Sequence, residues 1–415
     1  MNLQKHKRAA LAVAVACLFG VLALVAPWGA GASPSPIPIG QLYTAGSPIL
    51  NELGPLGALR AGVRAINAAG GINGHPLVVD SCNDQGDPNL SATCARKMVS
   101  DHVVATFGDI SAGNADAMAT ILNAAKIPQI NISAASNTQF TCSTCFPIGT
   151  GSIGYPAGVM NAIKARGGKS VYIVGVSLTG LTQITSTYAV KAAQAAGLKV
   201  AATQLEPPGL PDWSPVAAQI AASGAPYVWT FLLGPDGISL IKSLQAIGYK
   251  GKITVISSYS AFELQELGAV SNGQVLSWSP NPPLSAAHQL PGVGKFVEQL
   301  AKEQAAGDSD AAQSDIDLIS GPNWAAVWAF ASLAKKLKSV TASTVLAALK
   351  AQKKPLNMQD FVSGGWTPGV ASGAPFPLAK AGPLTGYPLV LKNDAWALSG
   401  PAQNIKSVLT AMLGS

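Results

Sequence analysis

The sequence predicts an α/β protein with two lobes, each built on a doubly wound parallel sheet. Short, strongly apolar segments typical of buried strands alternate with segments of helical periodicity. This alternation indicates parallel sheets that are covered by helices on both faces. The pattern occurs twice, before and after residue 155, and a chain of 415 residues is long enough for two such lobes.

The first run opens with a strand over Ile37–Tyr43 and a helix over Pro55–Ala69, whose apolar residues recur at helical spacing. Asp87 and Pro88 begin a helix that ends near Ser100, because Asp is a favoured N-cap and Pro fits the first helical turn. The same periodicities predict the other elements of this run: strands over Pro76–Asp80 and Val103–Phe107, a helix around Met118–Ala125, and a strand over Pro128–Asn131.

The second run continues the alternation from Ala157 and changes character at Pro280. It predicts helices over Ala157–Arg166, Thr182–Ala196, Pro215–Ala222 and Gly237–Ile247, and strands over Ser170–Val176, Leu198–Thr203, Tyr227–Leu232 and Ile253–Ser257. Two helices follow, over Val293–Ala306 and Asn323–Leu337. The last carries a stripe at helical spacing that we interpret as a packing face: Trp324, Val327, Trp328 and Ala331.

Segment 1–32 has the three parts of a secretory signal peptide. A basic start at Lys5–Arg8 precedes the apolar residues 9–26, and small residues lead to a cleavage site near Ala32. An uncleaved membrane anchor is the alternative, since this apolar run nearly spans a bilayer. Without the segment, 24 Lys+Arg and 20 Asp+Glu remain, and this weak net positive charge argues against a nucleic-acid-binding role. We therefore expect an exported protein of the periplasm or cell surface.

Four cysteines follow the signal peptide: Cys82, Cys94, Cys142 and Cys145. An even number in an exported chain indicates two disulfides, and three pairings are possible. Closeness in sequence favours Cys82–Cys94 with Cys142–Cys145. The second pair also has the spacing of a zinc or redox motif, but a zinc site would need further ligands, and the histidines are widely scattered. No metal is predicted.

One phosphate-binding pattern occurs, with glycines at 149, 151 and 154. A dinucleotide site would need an acidic residue about 20 positions later, and no Asp or Glu occurs between residues 155 and 205. We interpret the glycines as a crossover between the lobes. A general base and a nucleophile elbow are also missing from the sequence pattern, so neither an enzyme nor a cofactor is predicted.

The stretch from Ala61 to Gly74 resembles the first helix and turn of periplasmic leucine/isoleucine/valine-binding proteins. These proteins capture small solutes for ABC importers. Further segments resemble the family in the same order along the chain: Asp84–Pro88, Val103–Gly108, Ile127–Ser136, Tyr227–Gly248 and Gly364–Pro368. The resemblance implies a type I periplasmic-binding-protein fold, in which three crossovers form the hinge between the lobes, and a monomer that works with a membrane permease.

The resemblance also implies how the chain divides between the two lobes. The N-terminal lobe comprises residues 37–152 plus 283–362. The C-terminal lobe comprises residues 153–282 plus 363–400, and residues 401–415 are a C-terminal tail. A ligand would lie between the lobes at the carboxyl ends of their strands, where open parallel sheets bind ligands.

The family holds an amino acid's carboxylate with hydroxyl groups after two strands of the first lobe. The matching positions here are Ser136 beside Ala134, and Ala112 beside Ser111. In the family a Tyr and a Glu hold the ammonium, and Leu233 and Tyr259 occupy those two positions here. Leu50 and Gly180 occupy two further positions where the family has aromatic residues. The resemblance therefore implies these ligand-binding positions: Leu50, Ser111, Ala112, Ala134, Ser136, Gly180, Leu233 and Tyr259.

The residues at the positions where the family holds a ligand's ammonium group differ here, and this difference affects which class of ligand is expected. An ammonium buried without an acidic partner is costly, although Asp236 and Glu263 are near enough in sequence to supply one. The expected ligand is therefore either branched-chain amino acid-like or an apolar or aromatic organic acid, amide or alcohol. A ligand sensor on the same fold is the alternative function, and an exported enzyme is a weaker one.

Overall fold

The computed structural model describes residues 34–47, 50–178, 181–232, 234–312, 317–362 and 365–414. The predicted signal peptide and two predicted site residues, Gly180 and Leu233, lie outside these ranges. Residues 36–415 form one compact unit. Within the described residues, no helix is long and apolar enough to cross a membrane.

The first sheet has five parallel strands in the order β2-β1-β3-β4-β5. The strand predicted over Val103–Phe107 is shorter than expected, because only its last two residues form a regular ladder. Its earlier part still donates to β1, with Val104 N–H bonded to the Pro38 carbonyl at 2.9 Å. The strands are β1 Ile37–Tyr43, β2 Leu77–Asn83, β3 Thr106–Phe107, β4 Gln129–Ile130 and β5 Cys145–Phe146.

The helices between these strands largely match the sequence prediction. Asp87 caps the helix at Pro88–Ser100, accepting hydrogen bonds from the N–H groups of Asn89 and Leu90. The helices of this part of the chain are α1 Gly54–Ala68, α2 Pro88–Ser100, α3 Ala115–Ala124 and α4 Asn137–Thr141.

Three later helices share an apolar core with α1 and one face of the first sheet. They are α10 Pro291–Ala305, α11 Ser320–Ala334 and α12 Ala342–Ala351. The predicted packing stripe of α11 is confirmed, since Trp324, Val327 and Ala331 are buried. At Gly62 of α1 a Cβ atom would lie 2.6 Å from Val327, so only glycine allows this close approach of α1 and α11.

The second sheet combines a parallel core with antiparallel strands at one edge. Its order is β12-β11-β10-β9-β8-β6-β7, with β13 paired to β11. Strands β6 to β10 are parallel, and β11 pairs antiparallel with β10, β12 and β13. The strands are β6 Ser170–Val176, β7 Lys199–Glu206, β8 Tyr227–Phe231, β9 Lys252–Thr254, β10 Val275–Ser279, β11 Thr385–Lys392, β12 Ala395–Leu398 and β13 Gln403–Asn404.

Helices of the second lobe bury their apolar faces around this sheet. The C-terminal segment includes a helix at Lys406–Gly414, whose Val408, Leu409 and Met412 are buried. A π-helical turn at Ile184–Ala189 leads into α6. The helices are α5 Gly151–Ala165, α6 Val190–Ala195, α7 Ser214–Ala222, α8 Gly234–Ala246, α9 Ala261–Glu266 and α13 Lys406–Gly414.

The chain passes between the two sheets at the glycine-rich segment that the sequence singles out. Gly149 N–H donates to the Gly382 carbonyl at 2.9 Å, which joins two of the connecting segments. Gly151 begins α5 with a φ of +51°, and a Cβ atom there would lie 2.1 Å from the Ala134 carbonyl oxygen. Glycine is therefore required for close packing of the backbone here, as the crossover interpretation predicts.

Both favoured cysteine pairings are present, as Cys82–Cys94 and Cys142–Cys145 disulfides. The first joins β2 to α2, and the second closes the turn between α4 and β5. Among the described residues, no group of His, Cys, Asp or Glu side chains is arranged to hold a metal ion.

Candidate ligand-binding cavity

A cavity of about 490 Å³ lies where segments that follow strands of both sheets meet. From the first lobe it is lined by the loop after β1, the loop between β3 and α3, and the loop after β4. From the second lobe it is lined by the start of α5, by residues that follow β6 and β9, and by residues at or just after the ends of β8 and β10. This volume lies within the range that small organic ligands occupy in proteins.

Four of the predicted site residues line this cavity: Leu50, Ser111, Ala112 and Ser136. Ala134 is buried next to two lining residues, Ser133 and Ala135. Tyr259 lies elsewhere, against a smaller hollow that Trp396 also lines. Its hydroxyl donates to the Leu232 carbonyl at 3.2 Å, and burial raises its pKa well above the ordinary value.

The hydroxyl of Ser111 faces a buried carboxylate of the protein itself. It donates to Asp84, which also accepts hydrogen bonds from Thr44 at 2.5 Å and Ser91 at 2.7 Å. Ser111 Oγ in turn accepts the N–H groups of Gly113 and Asn114. Asp84 therefore fixes the loop between β3 and α3, and this use of Ser111 is structural.

The hydroxyl of Ser136 is also hydrogen-bonded to a carboxylate of the protein. It donates to Asp116, an exposed residue in the first turn of α3 that also lines the cavity. Its oxygen accepts the Gln139 N–H at 3.3 Å and so caps α4. The hydroxyl predicted to hold a ligand carboxylate thus already holds a carboxylate of the chain.

The sequence interpretation missed a buried carboxyl group in the cavity wall, Glu52. Burial, together with the neighbouring charge of Asp317, raises the pKa of Glu52 well above its ordinary value. Asp317 is held in turn by Ser320 and by the Ile319 N–H. One signal was available, because Glu52 is the only charged residue between Ala32 and Leu59.

Aromatic and aliphatic side chains make up much of the remaining cavity wall. The Tyr155 and Phe231 rings meet edge to face with centroids 6.0 Å apart. The Tyr155 hydroxyl donates to the Val255 carbonyl, which fixes the ring. The apolar part of the lining comprises Leu50, Ile110, Leu178, Leu181, Phe231, Ile256, Trp278 and Ile319. Such a wall suits the hydrocarbon part of a small solute.

The sequence pattern of the family described as "Periplasmic binding protein" matches residues 36–365. This match covers most of the chain. The chain belongs to the periplasmic binding protein family. Membership agrees with the predicted type I fold and with the resemblance to leucine/isoleucine/valine-binding proteins. Members are exported solute-binding proteins, and an exported location follows for this periplasmic binding protein.

Several solved structures share the fold of this chain at low sequence identity. A possible leucine/isoleucine/valine-binding protein from Rhodopirellula baltica SH 1 aligns with a TM-score of 0.71 at 14% identity, over 89% of this chain and 97% of that chain. An ABC transporter solute-binding protein from R. palustris in complex with 4-hydroxybenzoate has a TM-score of 0.70 at 18% identity, over 90% and 98%.

A fatty acid ABC transporter substrate-binding protein from Thermomonospora curvata aligns with a TM-score of 0.71 at 16% identity, over 91% of this chain and 95% of that chain. No curated protein sequence matches the chain. At these identities the solved structures show the fold of this binding protein and not its ligand.

Two acids near the family's ammonium positions have other partners in this binding protein. Asp236 accepts the Gly209 N–H at 2.9 Å. Glu263 belongs to the capping box at the start of α9, where its side chain accepts the Ser260 N–H at 2.8 Å. The acids that line the cavity, among the residues the structure describes, are Glu52 and Asp116 instead.

Proposed function

We propose that this protein is an exported solute-binding protein that captures a small ligand between its lobes and delivers it to the permease of an ABC importer. The observation that carries the proposal is the 490 Å³ cavity, which is lined from both sheets and has many apolar side chains in its wall. Closure of two lobes around such a cavity excludes water from the ligand. The protein acts as a monomer in this proposal, with binding rather than catalysis as its task.

The sequence predicts either a branched-chain amino acid-like ligand or an apolar or aromatic organic acid. The wall formed around Phe231 and Trp278 supports the apolar body that both classes share. The two ligand classes differ at the polar end of the ligand. The charged groups around the cavity therefore affect which class can bind.

Native mass spectrometry of the gently purified mature protein tests the proposal. We expect a bound solute of low mass that denaturation releases, and a gain in thermal stability when it is added back. Phe231→Leu should weaken binding about fivefold, since it removes apolar contact area worth about 1 kcal/mol. Phe262→Leu is the matched control, because Phe262 is 61% exposed.

A protein that carries no solute and is stabilised by no small organic compound would contradict the proposal. Equal solute occupancy in the Phe231 and Phe262 variants would move the binding site away from this cavity.

Export can be tested separately from binding. We infer that the signal peptide is cleaved near Ala32, because small residues end its apolar segment there. N-terminal sequencing of the protein recovered outside the cytoplasm should begin close to residue 33. A chain recovered in the membrane fraction with Met1 intact would support the uncleaved anchor instead.

A further inference from the structure

A dense group of exposed lysines lies outside the ligand-binding cavity. Between Asp317 and Asp360 the sequence contains six lysines and no acidic residue. All six are exposed, and we call them the basic patch: Lys335, Lys336, Lys338, Lys350, Lys353 and Lys354. Of the 24 basic residues of the mature chain, the other 18 are outnumbered by its 20 acidic residues. The net positive charge of the mature protein therefore comes from the basic patch.

The basic patch lies where two helices beside the first sheet end. Three of its lysines directly follow α11, and the other three lie in the last turn of α12 or just beyond it. The two helices share one apolar core. Because α12 has 10 residues, the two groups of lysines are about 15–20 Å apart. The patch is therefore a continuous basic region at the ends of two packed helices.

Acidic side chains do not neutralise the basic patch. Among the described residues, none of the ion pairs includes one of its lysines. The acids of α10, which packs against α11, are paired with other bases, Glu298 with Lys302 and Glu303 with Arg64. The helix dipole favours cations in the last turn of a helix. This effect accounts for Lys350 but not for the lysines beyond the helix ends.

The basic patch and the cavity lie at opposite ends of α11. Ile319 lines the cavity and directly precedes this helix, whereas the first three lysines of the patch directly follow it. The helix has 15 residues and is about 22 Å long. Neither the cavity nor the smaller hollow against Tyr259 includes a lysine of the patch. A partner bound at the patch would therefore leave the cavity free to bind a solute.

We propose that the basic patch binds the surface of a membrane that contains anionic phospholipid, and so holds the exported protein there with its cavity unobstructed. Clusters of about four to eight basic residues are attracted to anionic lipid headgroups without needing a shaped pocket. The large apolar side chains that the described residues expose all lie outside the segment 335–354, so the attraction is electrostatic. The proposal goes beyond solute binding and does not depend on which solute the cavity takes.

Co-sedimentation with lipid vesicles tests the proposal. The mature protein is used, because the apolar signal peptide would itself bind lipid. Phosphatidylcholine vesicles with about 40% phosphatidylglycerol are compared with pure phosphatidylcholine vesicles at pH 7.5. We expect binding to the anionic vesicles in about 50 mM salt, and binding at least tenfold weaker in about 300 mM salt, because salt screens the charges. Neutral vesicles should not bind the protein.

Two triple variants with the same change in charge locate the binding surface. The patch variant carries Lys335→Gln, Lys336→Gln and Lys338→Gln. Each lysine near an anionic surface contributes about fivefold in affinity, so vesicle binding should fall at least tenfold. The control variant replaces exposed lysines that lie singly at the starts of three strands of the second sheet, with Lys169→Gln, Lys199→Gln and Lys250→Gln. It should bind vesicles like the wild type. Both variants should keep the unfolding temperature and the solute occupancy of the wild type.

Equal binding to neutral and anionic vesicles, or no binding to anionic vesicles at low salt, would overturn the proposal and leave solute binding intact. Unchanged binding in the patch variant, or an equal loss in the control variant, would also overturn it, since the attraction would then not come from the patch. Tenfold tighter binding to soluble long-chain polyphosphate than to the vesicles would assign the patch to a soluble polyanion instead.

Discussion

Asp109 is a buried carboxyl group at the end of β3, directly before the cavity loop. It accepts the Leu42 N–H at 3.0 Å and the Thr106 hydroxyl. Burial raises its pKa from 3.8 to about 7, although both hydrogen bonds oppose the increase. The carboxyl therefore changes its charge close to neutral pH, while it joins β1 to β3 behind the ligand site.

This raised pKa makes the stability of the fold depend on pH. Because the folded-state pKa lies above the unfolded value of about 3.9, the contribution of Asp109 is complete below pH 4 and is lost as the pH rises through about 7. Asp109→Asn mimics the protonated form. We expect the variant to gain stability over the wild type progressively between about pH 4 and pH 7 and to keep a constant advantage above that, as measured by thermal unfolding.

Glu266→Gln provides the control, since Glu266 is a partly exposed member of a surface ion pair with Lys242. Its unfolding temperature should follow the wild type at each pH. Parallel profiles for wild type and Asp109→Asn would mean that Asp109 is ionised in the fold at every pH tested.

Individual site residues were predictable where they follow a strand, and unpredictable where their role depends on a partner distant in sequence. Ser111 and Ser136 line the cavity as the resemblance implies. Their hydroxyl groups donate hydrogen bonds to Asp84 and Asp116, which lie 27 and 20 residues away in the sequence. The pairing of Glu52 with Asp317 spans most of the protein and depends on the tertiary fold. No periodicity or motif signals such pairs.

The secondary-structure elements show the same distinction between local and tertiary causes. β1 has the predicted bounds Ile37–Tyr43, and α2 begins after its predicted cap at Asp87. The helix predicted over Thr182–Ala196 instead opens with a π-helical turn at Ile184–Ala189. Thr185 of that turn packs against Gly175 of β6. A Cβ atom on residue 175 would lie 1.8 Å from the Thr185 hydroxyl oxygen. Such contact between a strand and a helix is invisible to helical periodicity.

The two disulfides should stabilise their elements unequally. Cys82–Cys94 closes a separation of 12 residues and Cys142–Cys145 one of three. A disulfide lowers the entropy of the unfolded chain, and this stabilising effect grows with the length of the loop that it closes. Replacing the first pair by alanines should therefore lower the free energy of unfolding by about 3 kcal/mol, and replacing the second by about 2 kcal/mol. Urea unfolding of the two double variants gives the comparison.

The two pairs are suitable controls for each other, because each joins one fully buried cysteine, Cys94 or Cys145, to a partly buried one. Loss of side-chain packing is therefore similar in the two variants. A larger loss of stability from the short pair would contradict the dependence on loop length.

The whole molecule should unfold as one cooperative unit. A single cluster of buried apolar residues includes Met98 and Met118 from helices of the first lobe and Val174 and Trp229 from strands of the second. We expect one calorimetric transition for the mature protein. A solute at one hundred times its Kd should add about 2.7 kcal/mol to the free energy of unfolding.

Two resolved transitions in the ligand-free protein would show that the lobes unfold independently in spite of this shared cluster. A ligand that shifts only one of them would then identify the lobe that makes most of its contacts.

Both disulfides lie in the part of the chain before residue 150, and this has a consequence for biogenesis. In a reducing cytoplasm neither bond persists, so a newly made chain lacks the cross-links of its first lobe. We expect that lobe to stay loosely folded until an oxidising compartment is reached. We therefore expect the chain to pass through a translocation channel first, and the disulfides to join β2 to α2 and to close the turn between α4 and β5 afterwards.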